Sequence, residues 1–202
     1  MSGYLDNNPN RFLYFNDYVS VGKRVLDTKI IKQYLYNNGN VKEPTTVIRY
    51  EYTNPSHYQL TKEIVTSPDD IISETSYNYA HEKNNQKLID AHIIGIPLET
   101  IVRKKQNLTD AGKIISKNET RYDNPANLFP SSVLSYDIQS NNQTEEVIFD
   151  KYDTKGNLQQ YTTKAGVPVT IIWGYNETQP IAKIEGAKYD QVSGLISAII
   201  RF

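Results

Sequence analysis

The chain has no cysteine, one tryptophan and one methionine among 202 residues. Without cysteine there is no disulfide framework, no thiolate nucleophile and no Cys-based metal site. The compartment stays open, because an exported protein can do without disulfides. No apolar run approaches the roughly 18 residues that a membrane span needs, so no transmembrane segment is expected. An excess of either charge is also missing: 22 Lys plus Arg face 23 Asp plus Glu, a net −1. That balance argues against a nucleic-acid partner, which calls for a basic face. His-Glu-x-x-His, Gly-x-Ser-x-Gly, a Gly-rich phosphate loop and the EF-type carboxylate series are all absent, so no cofactor or metal is expected.

In their place stand β-branched and aromatic residues. Ile (22), Thr (16), Tyr (16) and Val (12) make up about a third of the chain, against 20 for Leu and Ala together. Asn adds 19. This is the composition of pleated surface and turns. Period-2 alternation recurs over 11–15, 25–36, 46–53, 58–66, 71–79 and 91–104. It continues over 113–121, 132–139, 145–152, 158–163 and 167–175. Clusters of Asn, Pro, Gly and Asp separate these runs, among them Asn54-Pro55-Ser56, Asp110-Ala111-Gly112 and Thr154-Lys155-Gly156-Asn157. Pro97, inside the run over 91–104, points to an edge strand or a bulge there. Many short strands without crossover helices predict an all-β fold of sequential antiparallel hairpins, forming an extended, coiled or curved sheet. Val192, Leu195, Ile196, Ile199 and Ile200 follow helical spacing instead, so a short helix is expected over 190–202. The length suits one region, 1–202. Residues 1–9 carry no signal-peptide pattern, and the apolar residues 198–202 read as the end of a piece cut from a longer chain.

The stretch from Lys151 to Thr162 carries a motif. Tyr152-Asp153, two free residues, Gly156-Asn157-Leu158, three free residues and Thr162 are followed by Gly166 and by Trp173-Gly174-Tyr175-Asn176. This resembles the YD repeat of Rhs-type proteins, with Asn176 where the repeat has Asp; the clearest copy covers 147–185. Looser echoes are Tyr122-Asp123, Tyr136-Asp137 and Tyr189-Asp190. The resemblance implies long antiparallel ribbons that coil into shells, often around a cargo domain, in bacterial proteins found outside the cell or in the envelope. Partners would then be other segments of the parent chain or a cargo domain. The repeat residues are expected to be structural: Gly156 and Asn157 tolerate positive φ, and Asp153 can accept backbone amides of its turn.

Other residues point away from catalysis. His57, after Asn-Pro-Ser, is expected to be a solvated turn residue, His92 to lie on a strand face near Asp90, and His81-Glu82 lacks a second ligand at metal spacing. Asp69-Asp70 suits a turn that guards a strand edge, and Arg103-Lys104-Lys105 a solvated strand end. Tyr50, Tyr52, Tyr77, Tyr79, Trp173 and Tyr175 are expected to pack across strands; exposed, they would suit a glycan or a protein partner, with Trp173 and Tyr175 as the candidate contacts. The expected role is that of a structural, non-enzymatic β-repeat segment. The alternative is a carbohydrate- or protein-binding module.

Overall fold

A computed structural model describes residues 24–37, 40–140 and 142–199 of the chain. The run expected over 11–15 lies outside the described residues. The elements follow in chain order: β1 (Thr28–Lys32), β2 (Leu35–Asn37), β3 (Asn40–Lys42), β4 (Thr45–Glu51), β5 (Lys62–Thr66), β6 (Ile72–Asn78) and α1 (Gln86–Asp90). Then come β7 (Glu99–Lys105), β8 (Lys113–Arg121), β9 (Ser132–Tyr136), β10 (Gln143–Tyr152), β11 (Leu158–Thr163), β12 (Pro168–Gly174), β13 (Gln179–Glu185) and α2 (Tyr189–Ile199). The main sheet has 11 strands in the order β1-β4-β5-β6-β7-β8-β9-β10-β11-β12-β13, and β2-β3 form a separate hairpin. Each main-sheet pair is antiparallel, and β1 and β13 do not pair with each other, so the sheet is not closed into a barrel. The all-β meander expected from the alternation is the fold.

Several boundaries differ. The run over 25–36 breaks at Gln33-Tyr34, where the Gln33 amide donates to Pro44 O at 3.1 Å and ends the β1 ladder. The run over 58–66 begins as a strand only at Lys62, since Tyr58 takes φ 51 in a turn. The run over 91–104 is a strand only from Glu99, so Pro97 precedes the strand and marks neither an edge nor a bulge. Its first part belongs to a compact insertion. The Asn85 side chain caps α1 by accepting the Leu88 amide at 3.2 Å, and Leu88 is buried with Ala80 and Leu98 against Ile89, Ile93 and Tyr122. Burying a side chain such as Leu88 stabilises the fold by about 1.5–3 kcal/mol. Strand β13 has no counterpart among the expected runs. Helix α2 forms, but Leu195 is 60% exposed; side chains from 196 onward lie outside the described residues.

One sheet face interleaves charges with isoleucines. Arg49, Ile64, Glu74 and Arg103 share one cross-strand row, and Glu99, Glu119, Leu134 and Glu145 another. Glu74 and Glu99 are buried, with Lys105 2.9 Å from Glu74 and Lys83 2.6 Å from Glu99. The basic run 103–105 is therefore not a solvated strand end: Lys105 is spent on Glu74, and Arg103 lies 4.0 Å from the same carboxylate.

Candidate functional site

The residues of the YD-like motif build one hairpin and brace the next. Tyr152 ends β10; its hydroxyl donates to Pro130 O at 2.9 Å and its ring lies 4.8 Å from that of Phe129. Burial, then the nearby Tyr122, pushes the Tyr152 phenol up to about 12. Asp153 opens the turn. Its Oδ1 accepts the amides of Lys155 (2.9 Å) and Asn157 (2.8 Å), and its Oδ2 accepts the Asn157 side chain at 2.8 Å. Burial raises the Asp153 pKa, and these donors outweigh it, leaving the carboxyl below its ordinary range. With both oxygens committed to the turn, Asp153 is a structural acceptor. Gly156 sits at φ +89, where a Cβ would come within 2.6 Å of the Phe129 ring. The same logic recurs at Asp137, whose Oδ1 accepts the amides of Gln139 and Ser140 just after β9.

Asn157 and Leu158 then reach across to the β12–β13 loop. The Trp173 indole donates to Leu158 O at 2.8 Å, which fixes the ring, and Asn157 Nδ2 donates to Glu177 O at 2.8 Å. Lys155 Nζ donates to Asn176 O and lies 3.3 Å from the Glu177 carboxylate. So braced, Tyr175, Asn176 and Glu177 all take positive φ (50, 57 and 60), and Tyr175 is 73% exposed. A cleft of about 280 Å³ opens here, lined by Trp173, Tyr175, Asn176, Glu177, Gln159 and Tyr189. Asn157, Leu158, Trp173 and Tyr175 are thus gathered in one place. Thr162, bonded to Asp150 at 2.7 Å, and Gly166, at φ +76 in the β11–β12 turn, contribute nothing to it. Gln159, Glu177 and Tyr189 were not read from the sequence as site residues; α2 delivers Tyr189, whose amide donates to Gln160 Oε1 at 2.8 Å.

The six aromatics do not form one patch. Tyr50 faces Glu63 and Tyr77 faces Thr100 in the first half of the sheet, far along the strand order from Trp173 on β12. Tyr79 is buried, its hydroxyl donating to Leu60 O at 2.7 Å.

The histidines differ from expectation. His57 is buried, not solvated: its Nδ1 accepts the Gln59 amide at 2.9 Å, and Nε2 lies 3.0 Å from Glu82 Oε1. With Nδ1 an acceptor, the ring proton sits on Nε2 and is donated to Glu82. No lone pair is left for a base. Burial works to raise the Glu82 pKa, but donors from Asn54, His57 and the Tyr79 amide hold it at about 2. His92 lies in an exposed turn at φ 57, not on a strand. Among the described residues no group of three His, Asp or Glu side chains is placed to hold a metal ion. A cleft of about 680 Å³ is lined by Asp69, Asp70 and Asp110 and by Lys104, Lys105 and Lys113, so its charges balance. Asp69 accepts Ser67 Oγ at 2.6 Å, and Asp110 takes the Gln106 and Gly112 amides at 2.9 Å each. Asp69 is thus part of a turn, as expected.

Among the described residues no helix is long and apolar enough to cross a membrane. No protein-family model matches the chain, and no curated protein is significantly similar to it.

Proposed function

We propose that the chain is a structural β-repeat segment, wall or scaffold, of a bacterial surface or secreted protein of the Rhs type, and that it is not an enzyme. The observation that carries this reading is the strand order. From β4 onward each main-sheet strand pairs with the next in sequence, so the sheet lengthens strand by strand without a new fold. Among the described residues the outer edges of β1 and β13 carry no partner strand, and an unpaired edge accepts a further strand readily. The motif residues support the same reading, since the Asp153 oxygens are spent on backbone amides and on Asn157. Partners would be neighbouring segments of the parent chain or a cargo domain.

Electron cryomicroscopy of the parent protein tests the proposal. The expected map has strands continuing the sheet from β1, β13 or both. A segment standing apart on linkers, with both edges bare, would overturn it. So would a hydrolytic or transfer activity lost on Glu82→Gln. Export is tested separately, by access of added protease to the segment on intact cells.

A further inference from the structure

The cleft beside α2 combines two kinds of lining. Trp173 and Tyr175 offer ring surface, beside a Tyr189 ring that carries the Lys151 ammonium 4.5 Å from its centroid, while Gln159, Asn176 and Glu177 offer amide and carboxylate groups. We infer that this cleft binds an uncharged sugar ring of a glycan. A pyranose has a C–H face that lies on an aromatic ring and a rim of hydroxyls that need donors and acceptors. Both are present. The Asn176 side chain and the Tyr175 hydroxyl have no hydrogen-bond partner among the described residues. Gln159 spends only its Nε2, on Tyr189 Oη at 3.1 Å, so its carbonyl oxygen is free to accept.

Charge selects against other ligands. Glu177 is the only acidic or basic side chain of the lining apart from the tyrosines, and Lys155 Nζ lies 3.3 Å from its carboxylate. The two ammonium groups nearby are already paired, Lys155 with Glu177 and Lys151, over the Tyr189 ring, with Asp190 at 2.7 Å, so neither is available for a phosphate or carboxylate. A quaternary ammonium would need the uncompensated negative charge that Lys155 removes. The volume, about 280 Å³, lies below the roughly 300–1,000 Å³ of sites for drug-sized ligands, and so fits one or two rings.

The loop is also built for presentation. Three consecutive non-glycine residues lie in the left-handed region, which is sterically unfavourable for residues with a Cβ. Lys155, Asn157 and Thr178 hold that conformation by donating to Asn176 O, Glu177 O and Tyr175 O. Strain maintained by neighbouring structure orders a site before its ligand arrives. The inference does not rest on the scaffold reading, since a wall segment can carry a sugar site or lack one.

Trp173 is the only tryptophan, so its fluorescence reports on this cleft alone. The test titrates the full chain with maltotriose, cellotriose, xylotriose, mannotriose and chitotriose, with choline and inorganic phosphate alongside. At least one sugar is expected to shift the emission saturably and to protect Trp173 from acrylamide quenching. Tyr175→Asn should weaken that binding about tenfold or more with the thermal midpoint retained, because Asn tolerates positive φ. Asn176→Gly, which relaxes the backbone and removes the amide, gives a second reading if Tyr175→Asn disturbs the fold. The inference is overturned if no sugar gives a saturable change at tens of millimolar, if binding survives both substitutions, or if choline or phosphate binds better than every sugar.

Discussion

Glu99 and Glu119 stand directly opposite each other across β7 and β8, and the Lys83 ammonium joins them at 2.6 and 3.1 Å. Like charges in register repel, so this pair depends on a cation delivered by the loop ahead of α1. Burial lowers the Lys83 pKa, but both carboxylates outweigh it and raise the value above 10.5. A raised lysine contributes stability that is full below pH 10.5 and is lost as pH climbs through the higher folded value. Lys83→Met is expected to destabilise by about 2–3 kcal/mol. Its side chain is 29% exposed, and Lys117 still lies 3.5 Å from Glu99, so the cost falls short of a fully buried pair. Urea melts from pH 7 to pH 11 check this: the gap between wild type and variant should narrow only at the alkaline end.

Glu82 gives the acid counterpart. Its folded pKa is about 2 against an ordinary 4.5, so its contribution is complete above pH 4.5 and lost as pH falls towards 2. Solvent screening of this partly exposed group reduces the gain to about 1–2 kcal/mol. Glu82→Gln should flatten the stability profile between pH 4.5 and pH 2. An unchanged acid slope in the variant would show that other carboxyls carry the transition.

The contrast between these residues and the strands explains what the sequence made legible. Strands β8 and β11 match the expected runs 113–121 and 158–163, because alternation is local and their turns are marked by Gly, Asn and Asp. The Asp153 turn was readable for the same reason, since its partners lie within four residues. His57 was not, because Glu82 comes from 25 positions away and turns a loop histidine into a buried latch. Helix α1, at five residues, is too short for a 3.6-residue period to register among alternating isoleucines. Strand β13 begins Gln179-Pro180, and the proline masks an edge strand that tolerates it. Trp173 and Tyr175 were legible as candidate contacts, whereas Gln159 and Tyr189 join them only through the docking of α2.

Lys87 holds a loop that has no regular structure to hold it. Its ammonium donates to Tyr122 O (2.9 Å), Asn124 O (2.6 Å) and Asn127 O (2.8 Å), closing the β8–β9 connection onto α1. Lys87→Met leaves those carbonyls without their charged donor and should cost about 1–3 kcal/mol. Hydrogen exchange should rise first over 122–130. Lys87→Arg should not restore protection, because a planar guanidinium cannot aim at three carbonyls converging on one point.

Gly156 and Gly166 separate two penalties that are usually confounded. Both have positive φ, +89 and +76, so replacement by Ala imposes a similar backbone cost of about 1 kcal/mol at each. Their surroundings differ. A Cβ at Gly166 meets nothing within 4 Å, while one at Gly156 would lie 2.6 Å from Phe129 Cζ and 2.8 Å from Cε1. Phe129 cannot easily retreat, because its ring packs on Tyr152 at 4.8 Å and Tyr152 is tied to Pro130 O. Overpacking should therefore add about 1–3 kcal/mol at Gly156 only. Denaturant midpoints should rank wild type above Gly166→Ala and Gly166→Ala well above Gly156→Ala. In a Phe129→Leu background the extra penalty at Gly156 should shrink towards the Gly166 value, a coupling measurable in a double-mutant cycle. Equal losses at the two glycines would mean that the ring does not press on the turn, and that backbone conformation alone keeps Gly156 in the motif.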